Sequence, residues 1–188
     1  MPSTADVIAR KLFDAGCRHA FGIPGGEVLT IMDALVRAGI TFTLAKHENA
    51  AGFMAEGVHH ATSSPVILLA TVGPGVSNAV NVIANAYQDR VPLVVLTGCV
   101  DDSESISYTH QVLDQQALLR PITKGTFRAV TDASDIIVDK AWPLRATDAR
   151  VRFISTFQYP WRSKHTGRSN PPCAALQRDR GQVRTPAY

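Results

Sequence analysis

The chain has 188 residues, 45% of them apolar and 19% charged, which suits one domain with a buried core and a short extension. No apolar run reaches membrane-spanning length, MPSTAD at the start has no leader pattern, and the three cysteines form neither a CxxC pair nor a zinc spacing; a reduced, cytoplasmic protein is expected. The net charge of +3 averages two unlike pieces: residues 1–150 hold 12 Lys/Arg against 15 Asp/Glu, and residues 151–188 hold 7 against Asp179 alone.

Taken in order, Ser3 is an N-cap for a helix with Ala5, Val7, Ile8, Leu12 and Phe13 at helical spacing, closed by Gly16. His19 to Ile23 reads as a strand, followed by a turn at Pro24-Gly25-Gly26. A helix over Glu27 to Ala38 ends at Gly39, and Ile40 to Leu44 forms the next strand. Glu48 to His60 is a helix and Ser63-Ser64-Pro65 a turn. Val66 to Ala70 is apolar throughout, as in a strand buried on both faces. Thr71 to Gly75 then opens into a helix over Val76 to Tyr87, and Val91 to Thr97 is a second fully apolar strand. Beyond a polar loop at Asp101 to Ser107, Gln111 to Leu119 is followed by a connection at Pro121 to Lys124. A strand over Thr126 to Val130 and a helix over Ser134 to Trp142 complete the pattern. Strands alternating with helices predict an α/β, three-layer domain: a parallel sheet covered by helices on both faces. Periodicity fails after about Ala146. The expected division is therefore a domain over 1–147 and a basic, disordered tail over 148–188.

Several short stretches sit where an open parallel sheet binds ligands, at the carboxyl ends of strands. Gly22-x-Pro24-Gly25-Gly26 follows a strand and precedes a helix; it is either a structural turn or a place where a ligand approaches the backbone. It is neither GxGxxG nor a Walker A loop, so neither NAD nor a nucleotide phosphate is indicated. Thr71-x-Gly73-Pro74-Gly75, with Ser77 and Asn78, has the same placement, and backbone N–H groups there could bind an anion or frame a ring. His47-Glu48 suggests a zinc protease only superficially, because Ala51 stands where the second histidine is required; no metal site is expected. A glutamate at a helix start is stabilised by the local dipole whatever its function. His110 and Gln111 lie in a polar segment, His59 and His60 close a helix, and Cys99 has no indicated base.

Together these stretches form a specific pattern. FGIPGGEVLTIMDAL at 21–35, LAKHENAAGFMAEG at 44–57, ATVGPGVSNAVNVIANAYQDRVPLVVLTG at 70–98 and HQVLDQQALLRPITK at 110–124 occur in order. The chain resembles, over residues 3–147, the N-terminal pyrimidine-binding domain of thiamine-diphosphate-dependent enzymes of the acetolactate synthase type. The resemblance implies that Glu48 is the catalytic carboxylate, hydrogen-bonded to N1′ of the aminopyrimidine and promoting proton removal from the thiazolium. It also implies that Pro24, Gly25, Gly73 and Asn78 line the cofactor region, and that Gln111 approaches the substrate. The implied activity is that of a lyase or transferase, decarboxylating or joining small 2-oxo acids. The family's Mg²⁺ ligands lie in a Gly-Asp-Gly…Asn motif of a diphosphate-binding domain, and that motif is absent from this sequence. A homo-oligomer or a diphosphate-binding partner is therefore expected to complete the site, with the chain inactive alone. The alternatives are a separately encoded subunit of a split decarboxylase and a non-catalytic dimerising module.

The resemblance also bears on the tail. Relatives continue after Ala146-Thr147-Asp148 with text like GPVHIDVPI, and Val151 to Trp161 read two bases later permits a similar string. A frameshift near 148–151 would make this an out-of-frame fragment, with no basic nucleic-acid arm.

Overall fold

The computed structural model describes residues 3–99 and 111–128, and the backbone of 152–155. Helix α1 (Thr4–Asp14) begins in a reciprocal box: Ser3 Oγ accepts from the Asp6 amide at 3.2 Å, and Asp6 Oδ2 accepts from the Ser3 amide at 3.0 Å. This satisfies two amides that a helix start leaves unpaired. Its apolar side, Ile8, Ala9 and Leu12, is buried.

Six strands form one parallel sheet: β1 (His19–Gly22), β2 (Thr41–Leu44), β3 (Val66–Ala70), β4 (Leu93–Thr97), β5 (Gly125–Arg128) and β6 (Arg152–Ser155). Their order is β2-β1-β3-β4-β6-β5. Ala20 is level with Phe42 and Ile67, and Leu68 with Val95, so the strands end together at one edge. The remaining helices are α2 (Leu29–Arg37), α3 (Glu48–Thr62), α4 (Pro74–Asn78), α5 (Val80–Gln88) and α6 (Gln115–Leu119).

Alternation along the central strands creates two cores. Ile67, Leu69, Val94 and Leu96 face one way and pack with Ile8, Leu12, Ile31 and Leu35 of α1 and α2. Val66, Leu68, Leu93 and Val95 face the other way, packing with Ala51 and Ala55 of α3 and Val82, Ile83 and Ala86 of α5. The three-layer arrangement predicted from the sequence is the one observed. Among the described residues no helix is long and apolar enough to cross a membrane.

Local differences have physical causes. The helix predicted from Glu27 starts as a 3-10 turn at Gly26–Val28, with Gly25 extended before it and no side chain capping it. The single helix predicted over Val76 to Tyr87 is two, α4 and α5, separated at Ala79, whose ψ of −5° leaves the α-helical range. Asn49 of α3 supplies the missing cap for the second: its Oδ1 accepts from the Val82 amide at 3.0 Å. Only Gln115–Leu119 of the 111–119 segment is helical, because Asp114 caps it by accepting from the Ala117 amide at 2.9 Å. Arg152–Ser155 corrects the expectation of disorder for four tail residues. They form β6, hydrogen-bonded to β4 on one side and β5 on the other. Two open strand edges can be satisfied by backbone groups alone, so side-chain periodicity need not announce such a strand. The polar loop at 101–107, His110, the helix over 134–142 and the rest of the tail lie outside the described residues.

Candidate functional site

The carboxyl ends of β1, β2 and β3 lead into the three loops that carry the candidate residues. Backbone bonds join these strand ends: the Ala45 amide donates to the Gly22 carbonyl at 3.0 Å, and the Ile23 amide to the Leu69 carbonyl at 3.3 Å. Glu48 is the first residue of α3, behind the N-cap His47, whose Nδ1 accepts from the Asn49 amide at 3.2 Å. A carboxylate at that end of a 15-residue helix is stabilised by the helix dipole.

Glu48 is nonetheless only 7% exposed. Its Oε2 accepts from Asn78 Nδ2 at 3.2 Å, joining the start of α3 to the end of α4. Its Oε1 accepts no hydrogen bond among the described residues, and it lies 3.3 Å from where a side chain on Gly75 would begin. Gly75 has to lack that side chain, since a Cβ there would also overlap Thr71 Oγ1. Gly73 is constrained twice. Its φ is +66°, and a Cβ would stand 2.6 Å from the Gln111 carbonyl oxygen. Gln111 itself has a φ of +67°, so its backbone turns at that contact.

The sequence-predicted residues are therefore brought together unequally. Glu48 and Asn78 bond directly, Gly73 abuts the Gln111 backbone, and Gly25 lies against Thr71, 2.5 Å from Cβ position to Cγ2. Pro24 occupies the turn after β1, half-buried, and no hydrogen bond joins it to Glu48. Four amides of the β3–α4 loop are bonded within the protein. Its Val72 amide donates to Glu27 Oε1 at 2.9 Å and its Gly73 amide to Gln115 Oε1 at 3.4 Å. The Val76 and Ser77 amides donate to the Thr71 and Gly73 carbonyls, so those groups are already occupied.

Glu27 and Gln115 are not among the site residues expected from the sequence, whereas Thr71 opens one of the expected stretches. Gln115 had a usable signal: it shares a helical face with Leu119, four residues on, and both are buried. Glu27 had none, because an exposed glutamate after a turn looks the same. Among the described residues no three His, Cys, Asp or Glu side chains gather as they would around a metal ion. Among the described residues Glu48 is thus a buried carboxylate with a hydrogen bond to one oxygen only, beside the closely packed Gly73–Gly75 turn.

Comparison with known proteins shows the family. Residues 2–118 match the family described as thiamine pyrophosphate enzyme, N-terminal TPP binding domain. The chain is 42% identical over 150 residues to the acetolactate synthase isozyme 3 large subunit of Escherichia coli, covering 78% of this chain and 26% of that protein. It is 39% identical over 120 residues to acetolactate synthase of Bacillus subtilis, covering 64% of this chain and 21% of the relative. With the acetolactate synthase large subunit of Haemophilus influenzae the identity is 34% over 178 residues, 94% of this chain and 28% of the relative. The chain thus spans about a quarter of the length of these relatives. By its matched residues and its fold, the chain belongs to the thiamine pyrophosphate enzymes, as an acetolactate synthase-like N-terminal TPP binding domain.

Proposed function

We propose that this domain holds the aminopyrimidine half of thiamine diphosphate and that Glu48 is its acid–base residue. The observation that carries this is Oε1 of a carboxyl group only 7% exposed, which has no hydrogen-bond partner among the described residues. Leaving a buried acceptor unsatisfied costs about 1–3 kcal/mol, and a ring N–H would remove that cost. When bound, thiamine diphosphate supplies the nucleophilic carbon and the electron sink for 2-oxo acid chemistry. Glu48 holds or moves the proton at the ring nitrogen N1′, while Asn78 fixes the plane of its carboxylate. In this reading Pro24, Gly25, Gly73 and Asn78 line the cofactor region and Gln111 stands on the substrate side, as the family resemblance implies.

The intact enzyme is an acetolactate synthase-like decarboxylase or carboligase acting on small 2-oxo acids. Its diphosphate and Mg²⁺ are held by a separate diphosphate-binding domain, from a second copy of the complete protein or from a partner. The test pairs Glu48→Gln with a diphosphate-domain partner and measures both activity and folding. Gln can still accept from Asn78, so the fold should survive, while loss of acid–base catalysis should cost about 10²–10⁴-fold in turnover. A Glu48→Gln protein as active as the wild type would overturn the assignment. Failure of the wild type to bind thiamine diphosphate with any such partner would favour a non-catalytic dimerising module.

A further inference from the structure

Two successive amides of the β3–α4 loop are held by side chains from two other segments. Glu27, from the turn after β1, accepts from Val72 at 2.9 Å. Gln115, the first residue of α6, accepts from Gly73 at 3.4 Å and from Thr97 Oγ1 at 3.2 Å, and donates from Nε2 to the Gly98 carbonyl at 3.0 Å. Gln115 is 6% exposed, so each of its bonds replaces water that is not there. The loop held in this way begins at Thr71, which lies between the two glycine turns. Its methyl group faces the Cβ position of Gly25, its hydroxyl that of Gly75, and Glu27 Oε2 is 3.2 Å from the former. The same loop continues into α4 and ends at Asn78, the donor to Glu48.

We propose that Glu27 and Gln115 are positioning residues, a two-sided clamp that presets the β3–α4 loop so that Asn78 presents its amide to Glu48. Neither touches Glu48; both act through the loop. Thr97 Oγ1 also donates to the Thr71 carbonyl at 3.3 Å, at the start of the loop, but Val72 and Gly73, which lead into α4, are held by Glu27 and Gln115. If either bond opens, the Asn78 amide loses part of what fixes its distance from Oε2. That this contact tunes cofactor activation rests on the function proposed above. That the clamp sets the loop does not.

The test therefore has two arms, with Glu27→Ala, Glu27→Gln and Gln115→Leu in the full chain. In the first arm, NMR reads backbone amide exchange and the Asn78 side-chain amide, without any cofactor. Losing one hydrogen bond worth about 1.4 kcal/mol should speed Val72 exchange about tenfold in Glu27→Ala and Gly73 exchange about tenfold in Gln115→Leu. The Asn78 side-chain resonance should move in both. Glu27→Gln keeps an accepting oxygen and should restore Val72. Unchanged exchange overturns the clamp, and so does an equal acceleration at Leu68 and Val95 in the core, which would report general destabilisation. In the second arm, with a diphosphate-domain partner, Glu27→Ala should raise the thiamine diphosphate concentration for half-activation severalfold, with Glu27→Gln near wild type. Loosened loops with half-activation unchanged would overturn the positioning role. If the wild type itself is not activated, the cofactor assignment fails, while the first arm still decides the clamp.

Discussion

Gly52→Ala tests the contact on which the site is mounted. Gly52 lies on the face of α3 that meets α5, and an added Cβ would overlap Val82 Cγ1, with Cγ2 at 2.7 Å and Val82 Cβ at 3.0 Å. Rotating the valine can move its methyl groups but not its Cβ, so the helices themselves must separate. Overpacking of this kind costs about 1–3 kcal/mol. Alanine returns about 1 kcal/mol through its better helix propensity. Because no rotamer relieves the overlap, the upper part of the first range applies, leaving a net loss of about 1–2 kcal/mol, or about 2–8 °C in Tm. Urea unfolding of Gly52→Ala, Val82→Ala and the double variant measures it. The double variant should recover more than about 1 kcal/mol relative to additivity, since Val82→Ala removes the obstructing methyls. A Gly52→Ala protein as stable as wild type, or single losses that simply add, would refute the close packing deduced for α3 and α5.

Two further expectations concern buried groups away from Glu48. Burial pushes the Glu56 carboxyl up, opposed by its bond from Asn85, reinforced by Asp89 and opposed by His60. The native state then retains a proton the unfolded chain has released, so stability should decline as pH rises from the ordinary glutamate range through the raised value. Glu56→Gln should remove that decline, and urea midpoints at several pH values showing a pH-independent difference would contradict it. Cys17 is buried, and that burial pushes its thiol up to about 12 against the opposing charge of Arg18. Iodoacetamide at about pH 8 should therefore leave it unmodified in the native protein, as read by mass spectrometry, and rapid native labelling would refute this.

Much of the fold was legible because burial dictates residue type in its strongest elements. Val66 to Ala70 and Leu93 to Thr97 are buried along their whole length, and both are plain in the sequence as apolar runs. The capping box at Ser3 and Asp6 was legible by half, since Ser3 alone marks the start. Other features depend on partners distant in the chain. The division of α4 from α5 follows from Asn49, 33 residues away, capping the second helix. The strand at Arg152–Ser155 is a pairing decision by β4 and β5, and its own four residues carry little sign of it. At the site, Glu48 and Asn78 were both singled out as individuals, but not their direct bond. Glu27 and Gln115 went unseen because the atoms they serve, amides of Val72 and Gly73, have no side-chain signature.

The α3–α5 face also provides an internal comparison for Glu48. Glu48, Gly52 and Glu56 follow at four-residue intervals, so they lie on one side of the helix. Opposite them stand Asn78, Val82 and Asn85, making two carboxylate–amide pairs around the Gly52–Val82 contact. Glu56 is 5% exposed and Glu48 7%, so burial does not distinguish them. Their bonding does. Asn85 Nδ2 reaches both oxygens of Glu56, at 3.4 and 3.1 Å, whereas Asn78 reaches only Oε2 of Glu48. An interface built only for stability has every reason to satisfy both carboxylates alike, because an unmet buried acceptor is costly. The asymmetry supports the role proposed for the pair at the strand-end edge of the sheet, where ligands bind in open α/β folds. Glu56 shows how this interface closes a carboxylate, and Glu48 is the one that, among the described residues, it leaves open.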